Sequence, residues 1–468
     1  MEFSSMSEVQ IMETTMTLRS EIEKGIAELG LNFSSFGELS GINRGIFSAI
    51  LNGSPPKPIS LNQMEAITRA FGYPEGWMFD LYIEECFYDG KPNRRRVEPF
   101  LIRCAELGKT DCIREVLSRL LEDLKHVSMI FDIAENLFTS GKVKESLVFY
   151  ECVVENEKYN HAERLAISHY RIFRASLGED NEQNLRVTMR FEPFCGKLPD
   201  HHRLDGLLHL THTYYALGRW AETEIYADQL YAFSQTVYQL EKLKINAKVK
   251  YISLNTERPL VVYYGQGFLM KEAVLIEYYQ RLEEAREYNR GYEDLSWFEG
   301  LDERGIKEVE KFKLYAHANS MNIEILKGNT EVLPSFVEFL DQNPNERLPS
   351  LLILLQSANK HHFDISTVLE HFDDFFNSYE EVQTQYNKRS KTNWYAKICF
   401  ELAVYYLEKK DYYSALNSSL LSLEMAIIIN NKHMFMKCVP FFEEFRSFSS
   451  EKQKKKYENL IRSVYRNA

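Results

Sequence analysis

From Phe100 to the C-terminus, this sequence repeats one pattern: amphipathic helical periods separated by only one or two turn residues. Each period spans roughly 12 to 20 residues, with apolar side chains at three- and four-residue spacing. The 468 residues include only 13 Pro and 21 Gly against 28 Tyr and 30 Phe, which favours long helices over loops. One hydrophobic core does not usually serve so long a segment, so the sequence predicts a stacked array of helical repeats.

Four segments of this array share an order of residue types. Each has an apolar helix end, a short polar turn, an aromatic or apolar residue, and then a small residue inside the second helix. The clearest segments are residues 137–154, 215–230 and 406–421, with Ser146, Thr223 and Ala415 as their small residues, and residues 322–340 form a looser fourth. This order is similar to that of the tetratricopeptide repeat, whose unit is about 34 residues long.

The N-terminal part follows a different plan, with four short helices between Thr17 and Gly72. Their predicted starts are Thr17, Asn32 or Ser34, Asn43 and Ser60, and their predicted stops are Gly30, Gly41, Asn52-Gly53 and Gly72. The second and third helices are joined by the turn Gly41-Ile42-Asn43, which is the arrangement of a DNA-reading helix pair.

These patterns predict an all-α fold with four sections. They are a flexible tail at 1–16, a helix-turn-helix domain of four to five helices at 17–80, a helical and basic linker at 81–99, and a helical-repeat domain at 100–468.

Composition and motifs exclude several classes of protein. The net charge of −12 argues against indiscriminate binding to nucleic acid. Seven cysteines without a CxxC pair predict neither a disulfide framework nor a zinc site, and His209 with His212 lacks a third ligand. No signal peptide, membrane span or catalytic motif is recognisable, so we expect a cytoplasmic protein that is not an enzyme and carries no metal or cofactor.

The sequence FGELSGINRGIFSAILNG (36–53), followed by PISLNQMEAITRAFG (58–72), resembles the repressor-like helix-turn-helix family, also called the XRE or Cro/C1 type. The chain departs from that family in having Asn52 where many members have Glu, and in the longer turn SPPKP. A module of this type followed by tetratricopeptide-like repeats is similar to the RRNPP peptide-pheromone receptors of Firmicutes and their phages. The resemblance implies a right-handed α-solenoid, a homodimer, an operator of double-stranded DNA, and a short signalling peptide in the concave groove.

The third helix supplies the candidates for DNA recognition. Base edges would be read by Asn43, Arg44, Ser48 and Asn52, and phosphates would be bound by Lys57 and Asn62. The alternative is a helix-turn-helix that serves only protein contacts, because residues 17–79 carry more acidic than basic side chains. Between Ser40 and Gly72, however, Glu65 is the sole acid beside three basic residues. The basic run Arg94-Arg95-Arg96 either adds phosphate contacts or pairs with acidic neighbours.

The peptide would need donors and acceptors in a row, which asparagine amides offer together. The candidates for binding it are Asn246, Asn319, Asn322, Asn393, Tyr214 and Tyr251. The sequence thus predicts a transcription regulator whose repeats sense a peptide and control dimer geometry. The alternative is a protein-interaction scaffold, or a modulator that sequesters a phosphorelay partner through its repeats.

Overall fold

The computed structural model describes residues 16–159, 162–246, 254–377 and 388–466. Over these residues the secondary structure is helical, without a strand, so the predicted all-α class is confirmed. The helices are α1 Leu18–Glu28, α2 Phe33–Ser40, α3 Arg44–Leu51, α4 Leu61–Ala70, α5 Phe79–Cys86, α6 Arg94–Glu106, α7 Thr110–Leu120, α8 Val127–Thr139, α9 Val143–Asn156, α10 Glu163–Ser176, α11 Asn181–Cys195, α12 Asp200–Ala216, α13 Trp220–Asn246, α14 Leu260–Val274, α15 Leu282–Glu293, α16 Glu303–Leu326, α17 Leu333–Gln342, α18 Arg347–His361, α19 Ser366–His371, α20 Asp373–Asn377, α21 Lys388–Glu408, α22 Tyr412–Ile428, α23 Lys432–Glu444 and α24 Glu451–Arg466.

The chain divides into two compact units, Met1–Ala175 and Ser176–Ala468. The division falls at the end of α10, and not at the predicted boundaries near 80 and 100. The predicted tail at 1–16 lies outside the described residues except for Met16.

The first unit begins with the predicted four short helices, and their starts follow the expected capping chemistry. The side chains of Asn32 and Asn43 accept from backbone N–H groups at the starts of α2 and α3. Thr17 and Ser60 form capping boxes at α1 and α4. Each cap satisfies backbone donors that have no partner inside the helix, so the helix boundaries are set locally.

Residues 81–99 are not a linker between two cores. Tyr82, Cys86 and Val97 are fully buried in the same core cluster that holds Phe36 and Phe47 of the helix-turn-helix. The segment is made of α5 and the start of α6, whose apolar faces complete that core. The apolar residues of this segment, and not its basic and turn-forming residues, therefore decide where it lies.

The predicted repeats are helical hairpins, and all four use the same reversal. Gly141, Gly218, Gly328 and Lys410 follow the first helix with a left-handed φ of 84°, 69°, 84° and 61°. The next N–H then bonds to a carbonyl five residues earlier, as in Lys142 to Leu137 (2.9 Å) and Asp411 to Tyr406 (2.9 Å). This is the Schellman arrangement, which satisfies orphan carbonyls and turns the chain within one or two residues.

In the second unit, the helices from α11 to α16 pack against one another in chain order, and so do those from α21 to α23, with α18 packed against both α16 and α21. Alternate helices such as α12 with α14 and α14 with α16 also touch. This is the packing of a helical-repeat array. The small residues Thr223 and Ala415 are buried at 0% and 1% exposure, as the repeat pattern predicts. Their size lets neighbouring helices approach closely.

Contacts across a long sequence separation bring the first helix of this unit against its later helices. Arg389 of α21 donates to Asn181 Oδ1 at 2.9 Å, and Lys432 pairs with Glu182 at 3.0 Å. Asn430 donates to Asp180 at 3.0 Å. Burial lowers the pKa of Arg389 to about 10. Within the second unit, the start of α11 is therefore in direct contact with the α21–α23 region.

Lys410→Gly should stabilise the second unit by about 1 kcal/mol, because a side chain at left-handed φ costs about 1–2 kcal/mol relative to glycine. Lys410 is exposed, so little else is lost. Gly218→Ala at the equivalent turn should lower stability by a similar amount. Urea unfolding of both variants measures the two free energies of unfolding. A change in the same direction for both variants would contradict the shared turn geometry.

Candidate functional site

The exposed face of α3 carries the polar side chains that were predicted to read DNA. Asn43, Arg44, Ser48 and Asn52 are all exposed, whereas Phe47 and Ile50 of the same helix are buried. The helix packs on α1 and α2 through its apolar side. Lys57 and Asn62, the predicted phosphate contacts, are exposed as well. The structure thus leaves all six predicted residues open to solvent in the described chain.

Asn43 has a structural task in addition to any recognition. Its Oδ1 accepts from the Gly45 N–H at 2.7 Å and caps α3. A bidentate contact to adenine needs both the oxygen and the nitrogen of the amide. While the cap is made, Asn43 offers only its Nδ2 donors to a base or a phosphate. Arg44 and Asn52 are therefore better suited than Asn43 to a bidentate base contact.

The loop after α3 is held close to the helix end. The Lys57 N–H donates to the Ala49 carbonyl at 2.8 Å. A Cβ on Gly53 would lie 2.4 Å from that same carbonyl oxygen, so only glycine fits there. The inserted SPPKP turn is thereby folded against α3, and it presents Lys57 beside the reading face.

The loop after α3 is also held by Arg19 and Glu85. Neither residue was singled out in the sequence analysis. Arg19 donates to the Ile50 carbonyl at 3.1 Å and to the Lys57 carbonyl at 3.2 Å, and it pairs with Glu85. Glu85 is 2% exposed and also accepts from the Ile59 N–H at 2.8 Å. One ion pair therefore joins α1, the end of α3, its following loop and α5.

The basic run at 94–96 is largely engaged within the first unit. Arg94 pairs with Glu98 at 3.0 Å and with Asp132 at 2.9 Å. Arg96 donates to the Glu85 carbonyl at 2.6 Å. These contacts favour the interpretation in which the run pairs with neighbours over the one in which it contacts phosphates.

The predicted peptide-binding residues fall into three groups. Tyr251 and the side chain of Asn246 lie outside the described residues. Tyr214 is 2% exposed, donates to Glu192 and stacks on Tyr226, so it is a core residue rather than part of an open groove. Asn393 is 7% exposed and accepts from Asn431 at 2.9 Å.

Asn319 and Asn322 of α16 form the third group, and the structure brings them together. Asn322 donates to Asn319 Oδ1 at 3.3 Å, and Asn319 donates to Glu272 at 3.1 Å. The Asn322 Oδ1 atom is buried and has no hydrogen-bond partner in the described part of the chain. A buried acceptor left unpaired is costly, and such groups are rare in native proteins.

Glu272 is the centre of this network and was missed by the sequence analysis. It is fully buried, and its carboxylate accepts from Asn289 at 3.0 Å, from Asn319 and from the Tyr292 hydroxyl. Burial raises the pKa of Glu272 to about 7, although these three donors act in the opposite direction. The sequence signal was a charged pair, Lys271-Glu272, inside the otherwise apolar helix α14.

A search for metal ligands finds no cluster of three or more among the described residues. His212 Nε2 lies 2.9 Å from Gln266 Oε1, and His209 Nε2 lies 3.3 Å from Glu257 Oε2. The seven cysteines are buried free thiols. Within the described chain, no helix combines the length and the apolar character needed to cross a bilayer.

Comparisons with known proteins add little to this picture. No protein-family model and no curated protein matches the chain. Among solved structures, it is similar to a circular tandem repeat protein with novel repeat topology and enhanced subunit contact surfaces, at 11% identity and a TM-score of 0.12, over 96% of this chain and 90% of that one. A TM-score this low carries no argument about function.

The Glu272 network predicts a pH-dependent stability. The unfolded chain releases this proton near the ordinary pKa of 4.5, whereas the folded protein keeps it to about 7. The folded state binds more protons between these values, so the contribution of Glu272 to the free energy of unfolding falls as pH rises through this window.

Glu272→Gln should remove this contribution. The stability of the variant relative to the parent should rise with pH between about 5 and 7, at up to about 1.4 kcal/mol per pH unit. Urea unfolding at several pH values measures it. The exposed Glu303→Gln is the control and should give a flat difference; a flat difference for Glu272→Gln would contradict the buried proton.

Proposed function

We propose that this chain is a sequence-specific DNA-binding transcription regulator, acting in the cytoplasm, whose helical repeats sense a short signalling peptide. The observation that carries the proposal is the open polar face of α3, with Arg44 at its first turn, Ser48 one turn later and Asn52 at its end. A helix of this width fits the major groove, where base edges present distinct donors and acceptors. Because α3 packs on α1 and α2, its exposed side chains are held at fixed positions relative to one another.

Affinity would come chiefly from phosphates. Lys57 and Asn62 flank the reading helix and are exposed. The mild positive charge between Ser40 and Gly72 supports this assignment, while the net charge of −12 over the chain limits nonspecific binding. A dimer that binds two half-sites would have a higher affinity for DNA than a single helix-turn-helix domain.

Peptide sensing is supported by the amides of Asn319 and Asn322 in the second unit. Asn322 is 1% exposed, so its unpaired Oδ1 would accept from a peptide N–H once the helices packed around it move apart. A peptide bound there would satisfy a group whose burial otherwise costs stability, and a ligand of that kind shifts conformational populations by its differential affinity. In this proposal, the shift in conformational populations caused by the peptide changes the geometry of the dimer and thereby the spacing of its two DNA-binding modules.

Arg44→Ala should weaken binding to the preferred duplex by about 1–3 kcal/mol and relax its sequence preference, as expected for a base contact. Lys57→Ala should weaken binding to all duplexes alike and reduce the salt slope by about 1. Fluorescence anisotropy with duplexes selected from a random pool measures both.

The matched control is Arg114→Ala, an exposed arginine of α7 paired with Asp111. If Arg44→Ala and Arg114→Ala lost equal affinity for the preferred duplex, the effect of Arg44 would be one of overall charge and not of a base contact. No sequence-preferring binding at moderate salt, with or without peptide, would favour the scaffold alternative.

Asn322→Ala should abolish most of the response to peptide while changing stability by no more than about 1 kcal/mol, because the lost hydrogen bond is offset by removal of an unpaired acceptor. Synthetic peptides from short neighbouring reading frames, tested by calorimetry, provide the measurement. Ser419→Ala also removes a buried unpaired oxygen and is the control. An unchanged peptide affinity in Asn322→Ala would remove this residue from the site.

A further inference from the structure

The second unit contains a cleft of ≈ 410 Å³ that the proposed function does not use. Three successive helices, α13, α14 and α15, supply its walls. The lining residues are Asp228, Tyr231, Gly267, Phe268, Lys271, Glu287 and Tyr288. This volume lies within the range of small-ligand pockets, and aromatic walls with a few convergent polar groups are typical of such sites.

Each of the three helices contributes one aromatic ring to what we call the aromatic cleft. The rings of Tyr231 and Phe268 are 4.6 Å apart at 65°, and those of Phe268 and Tyr288 are 6.2 Å apart at 54°. Rings at such angles form separate walls rather than one stack. All three are only partly buried, so their surfaces remain available within the cleft.

Two glycines make this arrangement possible. A Cβ on Gly267 would lie 2.7 Å from the Cβ of Tyr231, and a Cβ on Gly291 would lie 2.3 Å from the Phe268 ring. Both distances are too short for a real contact. Any larger residue at either position would displace an aromatic wall, so the cleft depends on these two positions being glycine.

The charges of the cleft favour a cation. Lys271 is 10% exposed and its ammonium lies 2.9 Å from Glu224, 3.1 Å from Asp228 and 5.7 Å from the centre of the Tyr288 ring. Burial lowers the pKa of Lys271, but the two carboxylates outweigh this effect and hold it above its ordinary value. Glu287 adds a third carboxylate, which also pairs with Arg290 at 2.7 Å. Lys271 thus already occupies a position where carboxylates and an aromatic ring stabilise positive charge.

The opposite side of α15 has the reverse character. A second cleft of ≈ 390 Å³ there is lined by three cationic side chains, those of Arg286, Arg290 and Lys313, and by one carboxylate, that of Glu293. The preference for a cation therefore belongs to the aromatic cleft and not to this region of the protein as a whole.

We propose that the aromatic cleft binds an organic cation, a guanidinium or an ammonium, which competes with Lys271 for Asp228 and Tyr288. The aromatic walls receive the apolar stem of the guest, and the carboxylates receive its charge. This inference stands apart from DNA binding and from the Asn319–Asn322 site, because neither contributes a residue to the cleft.

The test uses the full chain and two blocked tripeptides, acetyl-Gly-Arg-Gly-amide and its neutral isostere with citrulline in place of arginine. Saturation-transfer NMR titrations should show binding of the arginine peptide at least tenfold tighter than that of the citrulline peptide. Tyr288→Leu should weaken arginine binding about tenfold, and Asp228→Asn should weaken it as well. Glu303→Gln removes an exposed carboxylate outside the cleft and should leave it unchanged.

Lys271→Met gives the sharpest result, because it removes the internal competitor and should tighten arginine binding about tenfold. Thermal unfolding verifies that each variant folds. If Lys271→Met does not fold, the binding of the arginine peptide to Tyr288→Leu and Asp228→Asn decides the case. Equal binding of arginine and citrulline peptides would overturn the proposal. So would weaker binding in folded Lys271→Met, or binding of acetyl-Gly-Glu-Gly-amide that Lys271→Met abolishes, since Lys271 would then hold an anion.

Discussion

The fold of both units depends on one backbone constraint, the reversal of direction within one or two residues at the end of a helix. A residue at left-handed φ follows the first helix, and the next N–H returns to a carbonyl five residues earlier. The following helix then begins at once and lies antiparallel to the first. Such short turns keep the apolar stripes of the two paired helices in contact, and four hairpins make them with Gly or, at one position, Lys410.

A second constraint holds the candidate reading face. The Arg19–Glu85 pair has one partner on α1 and the other on α5, and together they bond to backbone groups of Ile50, Lys57 and Ile59. Glu85 is almost fully buried, so removal of Arg19 would leave a buried charge without its partner, which is strongly destabilising. The position of Lys57 beside α3 therefore depends on α5, a helix that lies beyond the helix-turn-helix proper.

The sequence predicted what local chemistry decides. The caps at Asn32, Asn43 and Ser60 and the exposed side of α3 follow from residues only a few positions apart. Long-range contacts carried no comparable signal. The contact of Arg389 with Asn181, and the meeting of Glu272 with Tyr292 and Asn319, depend on how separate helices pack. Tyr214 shows the same limit, since it was a candidate for peptide binding but is buried in the packing of its neighbours.

The polar groups buried between α13 and α16 are hard to explain by stability alone. Glu272 is kept in the interior with a raised pKa, Asn322 holds an acceptor without a partner, and Lys271 is desolvated beside two carboxylates. Apolar residues of similar volume would pack there at no such cost. The α18–α22 core of the same unit is built on apolar side chains such as Leu351, Leu355 and Ile398, although Ser350 and Ser419 also bury unpaired oxygens there. Because strongly perturbed titratable groups are enriched at functional sites, the α13–α16 segment is the part of the repeat array in which ligand recognition is best sought.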